Sequence, residues 1–286
     1  MTWLDLITEP LSYGFMQRAA VGSLALGIAA PVAGVWATSR RLVYLTDAMS
    51  HALLAGVAGA ALAGASLMLG AFVAAIVMAS MVAWLVVRAA LPEDSAIGIA
   101  GNGLFALGAI GVTLTGDPRA LTHILFGNAL TITGVEVVAQ VALSAVVMVG
   151  CWVALPVLSA STFDPVHART VGVRTGVVDA AVLLALALLV VVGLSTVGVL
   201  MALTLYLAPA VAAMQLTDRL LPRLVTASAL GVVAAVTGLL VSYHIGLPTG
   251  PVVAVVAVTE VFVAYGVGLL RRARDHQRLM GLIPAR

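Results

Sequence analysis

Long apolar runs, broken by short clusters of arginine, proline and glycine, account for almost the whole chain. The runs between those breaks predict nine helices: Phe15 to Ala37, Val43 to Ala63, Leu67 to Val87, Ala96 to Thr115, Thr133 to Val157, Val177 to Gly193, Ser195 to Gln215, Leu224 to Tyr243, and Gly250 to Leu270. A hydrocarbon core about 30 Å thick takes roughly 20 apolar residues per helix, so these runs are the length of membrane spans. The stretch from Val177 to Gln215 is too long for one span and barely long enough for two. A tight turn near Ser195 and Thr196 is expected to divide it. Pro31 and Pro209 fall inside the first and seventh runs, where each removes a backbone hydrogen bond and predicts a kink or break.

Composition turns this pattern into a class. Of 286 residues, 62% are hydrophobic and 9% charged, against about 25% charged in a soluble domain. Too few charges remain to clothe a globule, so a soluble protein is excluded. The reading is an all-α polytopic membrane protein, residues 1–286 forming a single transmembrane domain. All 14 basic side chains are arginines. A phosphate-binding Walker loop requires a lysine, so any ATP hydrolysis belongs to another chain. The single Cys151 excludes an internal disulfide and offers no thiolate cluster for zinc.

The arginines also orient the spans, because Lys and Arg are retained on the cytoplasmic side. With the N-terminus outside and the C-terminus cytoplasmic, Arg40, Arg41, Arg88, Arg169, Arg174, Arg219, Arg223 and the tail from Arg271 lie inside. Only Arg18 and Arg119 lie outside. The tail sequence RRARDHQR directly follows a span and reads as a positive-inside stop signal; no nucleic-acid partner is expected. The first 17 residues carry Asp5 and Glu9 without a basic residue, which predicts a short piece along the outer surface and not a signal peptide.

Ionisable groups inside a membrane are expensive and point to function. In the second run, LTDAMSHALLAG places Asp47 and His51 four residues apart, on one helical face. At about 1.5 Å per residue from Arg41, His51 lies roughly 15 Å into the core. A carboxylate oxygen with an imidazole nitrogen is half of a site for manganese, zinc or iron. Alternatively, the two groups neutralise each other or hydrogen-bond to neighbouring helices. Gly56, Ala60 and Gly64 on the same helix form a small-residue packing stripe. Glu260, ten residues into the last span, is a remote metal ligand, a proton site, or a buried carboxyl hydrogen-bonded to Tyr or Thr. His123, near Asp117 at an outer mouth, is either a capture ligand or loop scaffolding.

The longest inner loop, residues 159–176, reads STFDPVHARTVGVRTG over most of its length. Asp164 suits an N-cap, Pro165 the first helical position and Gly172 the residue just past the end, which predicts a short capped helix. Held between two spans on the cytoplasmic face, it reads as a docking element for a soluble partner or as a plain connector.

Together these pieces resemble the membrane permease family of ABC importers for zinc, manganese and iron. The resemblance is carried by GVWATSRRLVYLTDAMSHALLAGVAG from Gly34, HILFGN from His123, FDPVHARTVG from Phe163, VGVLMALTLYLAPAVAA from Val197 and the Pro-x-Gly-Pro at Pro248 to Pro251. More distantly, Arg18 through Gly56 is similar to the first helices of permeases for vitamin B12 and iron-siderophores. The resemblance implies a type II importer-like fold in a bacterial plasma or inner membrane, with Asp47 and His51 on the metal path. It implies that Phe163, Asp164, Pro165, His167, Arg169 and Gly172 form the coupling helix seated on an ATPase. The implied partners are a second permease copy, cytoplasmic ATP-binding subunits and an extracytoplasmic metal-binding protein. No permanently bound cofactor is implied; the cargo is a divalent metal, with zinc slightly ahead of manganese on overall likeness. The family commonly has glycine before the motif Asp; here Thr46 stands there, and a hydroxyl beside the ligands bears on which metal is preferred. Two other classes stay open: a proton- or cation-coupled transporter using Asp47, His51 and Glu260, and an intramembrane metalloenzyme, which needs at least three protein ligands.

Overall fold

The computed structural model describes residues 5–115, 132–193 and 198–281, and among these all regular structure is helical. In chain order the helices are α1 (Asp5–Leu11), α2 (Gly14–Ser39), α3 (Val43–Leu62), α4 (Leu67–Arg88), α5 (Glu93–Leu114), α6 (Gly134–Val153), α7 (Leu155–Phe163), α8 (Pro165–Thr170), α9 (Thr175–Gly193), α10 (Val199–Leu216), α11 (Leu220–Ile245) and α12 (Thr249–Gly281). Six helices have the length and hydropathy to cross a membrane: α2, α4, α5, α6, α11 and α12. The remaining three predicted spans correspond to α3, α9 and α10, of 20, 19 and 18 residues. The expected turn at Ser195 and Thr196 lies outside the described residues.

α2 is the central helix. Its apolar stretch is 72% buried, against 22% to 33% in the other five. A helix that is apolar all round can be enclosed on every side, and α2 is so enclosed, its Trp36, Leu26 and Val35 being wholly covered. Trp36 and Leu26 join Leu53 and Leu54 of α3, Leu186 and Leu189 of α9, and Leu205 and Tyr206 of α10 in one core. The outward faces of α4 and α6 carry Leu69, Val73, Trp84, Val138, Val149 and Trp152, all exposed, as a lipid-facing surface requires.

Close approach of backbones replaces the hydrophobic drive that lipid does not supply between helices. A Cβ on Gly34 of α2 would lie 1.9 Å from the Tyr206 carbonyl of α10, and one on Gly56 of α3 would lie 2.0 Å from the Gly70 carbonyl of α4. Two members of the predicted small-residue stripe, Gly56 and Ala60, do face α4. The third, Gly64, instead turns the chain after α3 with φ +67 and open space around it.

Of the kink or break expected at Pro31 and Pro209, the break does not occur, since α2 and α10 continue through their prolines; Pro31 sits where α2 crosses Gly231 of α11, so packing against a neighbour holds the turn together. One local expectation is corrected. The run from Thr133 to Val157, read as one span, breaks at Ala154 into α6 and α7, because Pro156 restarts the helix in its first turn.

Candidate metal site and coupling element

α3 begins from a tight corner. Arg41 adopts φ 60, its N–H donates to the Thr38 carbonyl at 3.2 Å, and the Leu42 N–H donates to Ala37 at 2.8 Å. This is the paired closure of a helix C-terminus that glycine usually supplies. The corner fixes the direction of α3 and thereby the rotation of Asp47 and His51 one and two turns later.

From Tyr44 the less buried positions of α3 recur at Asp47, His51, Ala55 and Gly59, a three-and-four spacing that marks one open face. Asp47 Oδ1 and His51 Nε2 stand 3.7 Å apart on this face, with side chains 43% and 32% exposed. That separation is beyond hydrogen-bond range, so the pair is not closed on itself. One cation about 2.1 Å from both atoms would need them roughly 3.0–3.4 Å apart at bond angles near 90–109°. A small side-chain rotation reaches that. The His51 ring meets the edge of Phe105 on α5 with centroids 5.2 Å apart, and its Nδ1 is buried without a partner.

Thr46 is buried, and its hydroxyl donates to the Leu42 carbonyl of its own helix at 2.9 Å. Ser50 donates likewise to Thr46, at 3.1 Å. Both hydroxyls are turned into the protein. Thr46, the departure before the motif Asp, thus spends its hydroxyl on its own helix.

Glu260 is not brought to this pair. It lies on α12 in a cavity of about 380 Å³ lined also by Leu216, Leu230, Val233, Thr237 and Thr259, with nothing from α3. Among the described residues neither carboxyl oxygen, both buried, has a partner, so no Tyr or Thr hydroxyl among them holds the carboxyl. Thr237 and Thr259 donate to their own helix carbonyls at 2.5 and 2.7 Å. His123 lies outside the described residues. Among the described residues no group of three His, Cys, Asp or Glu gathers, at Asp47 and His51 or elsewhere.

The loop of residues 159–176 is more helical than expected, since α7 runs to Phe163. Asp164 then caps α8, accepting from the His167 N–H at 2.9 Å, with Pro165 at the first position. Gly172, at φ +86, ends the turn, and Arg169 Nε donates to Thr175 Oγ1 at 3.2 Å. Ala168 faces inward, while Phe163, Val166 and Val171 are 58%, 72% and 61% exposed.

Sequence reading missed the group that joins the two sites. Arg40, read as an orienting charge and as one of the two arginines of the motif from Gly34, has a side chain 5% exposed that is ion-paired with Asp179 of α9. The same guanidinium donates to Ser161 Oγ of α7 at 2.5 Å. The signal present in the sequence was Asp179 itself, a lone carboxylate near the start of an otherwise apolar run.

Comparison with known proteins follows the same outline. The ABC 3 transport family matches residues 12–267. The chain is 32% identical to the chelated iron transport system membrane protein YfeD of Yersinia pestis, over 88% of this chain and 85% of that one. It is also 32% identical to the manganese transport system membrane protein MntC of Halalkalibacterium halodurans, over 89% and 88%. Among solved structures, PsaBC from Streptococcus pneumoniae in complex with Fab superposes with a TM-score of 0.85 at 25% identity, over 92% of this chain and 95% of that one. An inward-facing ABC transporter shares the fold at a TM-score of 0.65 and 14% identity, over 95% and 91%. A match that spans nearly all of the helical body, with relatives above 30% identity along most of their length, fixes the assignment: this multi-pass membrane protein belongs to the ABC 3 transport family.

Proposed function

We propose that this chain is the permease of an ATP-driven importer and passes a divalent transition metal across the membrane by alternating access. The carrying observation is the open stripe of α3, where the side chains of Asp47 and His51 are partly exposed side by side at membrane depth. An ionisable pair cannot be left against acyl chains without large cost, so this face belongs to a water-filled path. Two protein ligands do not complete a site. A second copy with its stripe opposed would double the donors, which favours a pore between two permeases. In this reading nine helices cross the bilayer, with the N-terminus outside and the C-terminus cytoplasmic, and an extracytoplasmic binding protein delivers the ion.

ATP chemistry is assigned to separate cytoplasmic subunits. Phe163, Val166 and Val171 form an exposed apolar patch around the capped α8, and on the cytoplasmic side such a patch asks for a protein cover. Motion of the docked subunit would reach α7 first. From there Ser161, Arg40 and the corner at Arg41 lead directly into α3.

The cargo we propose is manganese or iron, ahead of zinc. The support is that relatives along most of the chain carry iron and manganese in their names, and that a carboxylate with an imidazole accepts all three metals. The test is uptake into proteoliposomes holding the permease with its ATPase subunits. Uptake that needs ATP and is lost in Asp47→Ala and His51→Ala is the expected result; ATP-independent uptake driven by a proton gradient would overturn it.

A further inference from the structure

We propose that Asn102 of α5 is a further ligand of the transport site, its carboxamide oxygen facing the same path as Asp47 and His51. The inference rests on the reading of that pair as the transport site. Its own support is the register between α3 and α5. A Cβ on Gly98 would meet the Tyr44 hydroxyl at 2.9 Å, one on Gly101 the Ala48 Cβ at 2.8 Å, and one on Gly111 the Ala58 Cβ at 2.9 Å, while Phe105 meets His51. Residue numbers rise together on both helices, so α3 and α5 run parallel. Asn102, next to Gly101 and three before Phe105, stands at a height between Asp47 and His51.

The side on which it stands follows from α4. Ala48 and Ala52 of α3 cluster with Met78 of α4 and with Ile97, Ala100 and Leu104 of α5. At about 100° per residue, Asp47 lies roughly 140° around α3 from Ala52, and Asn102 roughly 160° around α5 from both Ala100 and Leu104. In a triangle of α3, α4 and α5, both residues therefore project on the flank of the α3–α5 seam that α4 does not cover. Asn102 is exposed there, in the middle of a membrane-length helix. A carboxamide in that place is as costly against lipid as it is useful beside an ion.

The chemistry changes what the site selects. Asp47, His51 and Asn102 offer two oxygens and one nitrogen, and two opposed copies offer six donors in all. A six-donor, oxygen-rich sphere suits manganese, whereas zinc settles for four ligands and gains little from a neutral amide. Asn102 thus acts as a specificity-determining residue, while Asp47 and His51 hold any divalent metal.

The test uses the complete complex in proteoliposomes, with radioactive manganese and zinc offered singly and in competition. Asn102→Ala is expected to lower manganese uptake about tenfold with little change for zinc, and Asn102→Asp to restore manganese. An unchanged manganese-to-zinc ratio in Asn102→Ala, with Asp47→Ala inactive, overturns the inference and leaves the site reading standing. Uptake surviving in Asp47→Ala overturns the site reading itself. If Asn102→Ala loses both metals while the complex stays assembled, recovery of manganese by Asn102→Asp supports a ligand. Failure to recover assigns Asn102 to helix packing instead.

Discussion

Arg40 and Asp179, 139 residues apart in the chain, form an ion pair that ties the end of α2 to the start of α9. The guanidinium is buried and the carboxylate is about half exposed. Because the same guanidinium also reaches Ser161, three segments meet at one side chain: the corner before α3, the helix that leads into α8, and α9. The two partners are not equivalent. Asp179→Asn leaves Arg40 bonded to Ser161 and keeps an amide oxygen that can accept from the guanidinium, so a loss of about 1 kcal/mol is expected. Arg40→Ala removes the ion pair, the bond to Ser161 and the packing of a buried side chain, for a loss of roughly 2–3 kcal/mol. Thermal unfolding of the purified protein in detergent would rank them, and an equal loss from both would refute the asymmetry. The same variants should also differ in metal ions moved per ATP, with Arg40→Ala the less coupled.

Asp47 and His51 make the opposite prediction. Both are partly exposed and stand 3.7 Å apart, and His51 meets Phe105 by an edge contact at a part-open position, so replacing either should shift stability by less than about 1 kcal/mol. Uptake should nevertheless fall roughly 100-fold, as expected when one of two protein ligands per chain is lost. Melting temperature and uptake, measured on the same preparation, check this together. A variant that loses uptake only because it has unfolded would show as a parallel drop in both.

How far the sequence reaches can be seen from these residues. The helices were legible because apolar runs of span length admit few other structures, and Asp47 with His51 stood out because ionisable groups are rare there. The cap at Asp164 and the stop at Gly172 were legible because both are local backbone chemistry. What was not legible depends on distance. Arg40 meets Asp179 only after α2 and α9 pack, Glu260 is without partners only once α11 and α12 are placed, and the side of α5 that carries Asn102 is defined by α4. The break at Ala154 is a different case. Pro156 was visible, but the flanking residues are as apolar as a span, so hydropathy masked it.

The glycines at crossings should be sharply unequal. A Cβ on Gly56 would sit 2.0 Å from a backbone carbonyl, whereas one on Gly59, a turn away, meets nothing within 4 Å. Backbone cannot swing aside as a side chain can. Gly56→Ala is therefore expected to cost about 1–3 kcal/mol through overpacking of α3 on α4, and Gly59→Ala to be neutral or slightly stabilising. Detergent-solubilised melting curves separate the two, and similar melting temperatures would mean that α3 and α4 are not in close contact in the membrane.

Docking of the ATPase should depend on the cap as well as on the apolar patch. Asp164 satisfies the His167 N–H, and a helix of six residues has little else to hold it. Asp164→Ala is expected to cost the local helix about 1 kcal/mol, loosening the presentation of Phe163, Val166 and Val171. Co-purification of the ATP-binding subunit should weaken in Asp164→Ala and be lost in Val166→Glu, which places a charge in the apolar patch. Asp164→Asn or Asp164→Ser should retain binding, because both side chains still cap.

Glu260 provides the test that separates a driven permease from a proton- or cation-coupled one. Its two carboxyl oxygens are buried without partners, and the nearby Thr237 and Thr259 hydroxyls are already bonded to their own helices. A polar group left in that state costs about 1–3 kcal/mol relative to an apolar side chain of the same shape. Glu260→Met keeps the length of the side chain and removes the unpaired oxygens, so it should raise the melting temperature. Glu260→Gln keeps polar atoms in the cavity and should not. Since the cavity is lined by α10, α11 and α12 without α3, ATP-driven uptake in Glu260→Met should stay within about twofold of wild type, the change expected away from the ligand face. If Glu260 instead relays protons or cations, Glu260→Met would stabilise the protein and abolish uptake, and that combination would shift the mechanism to α12.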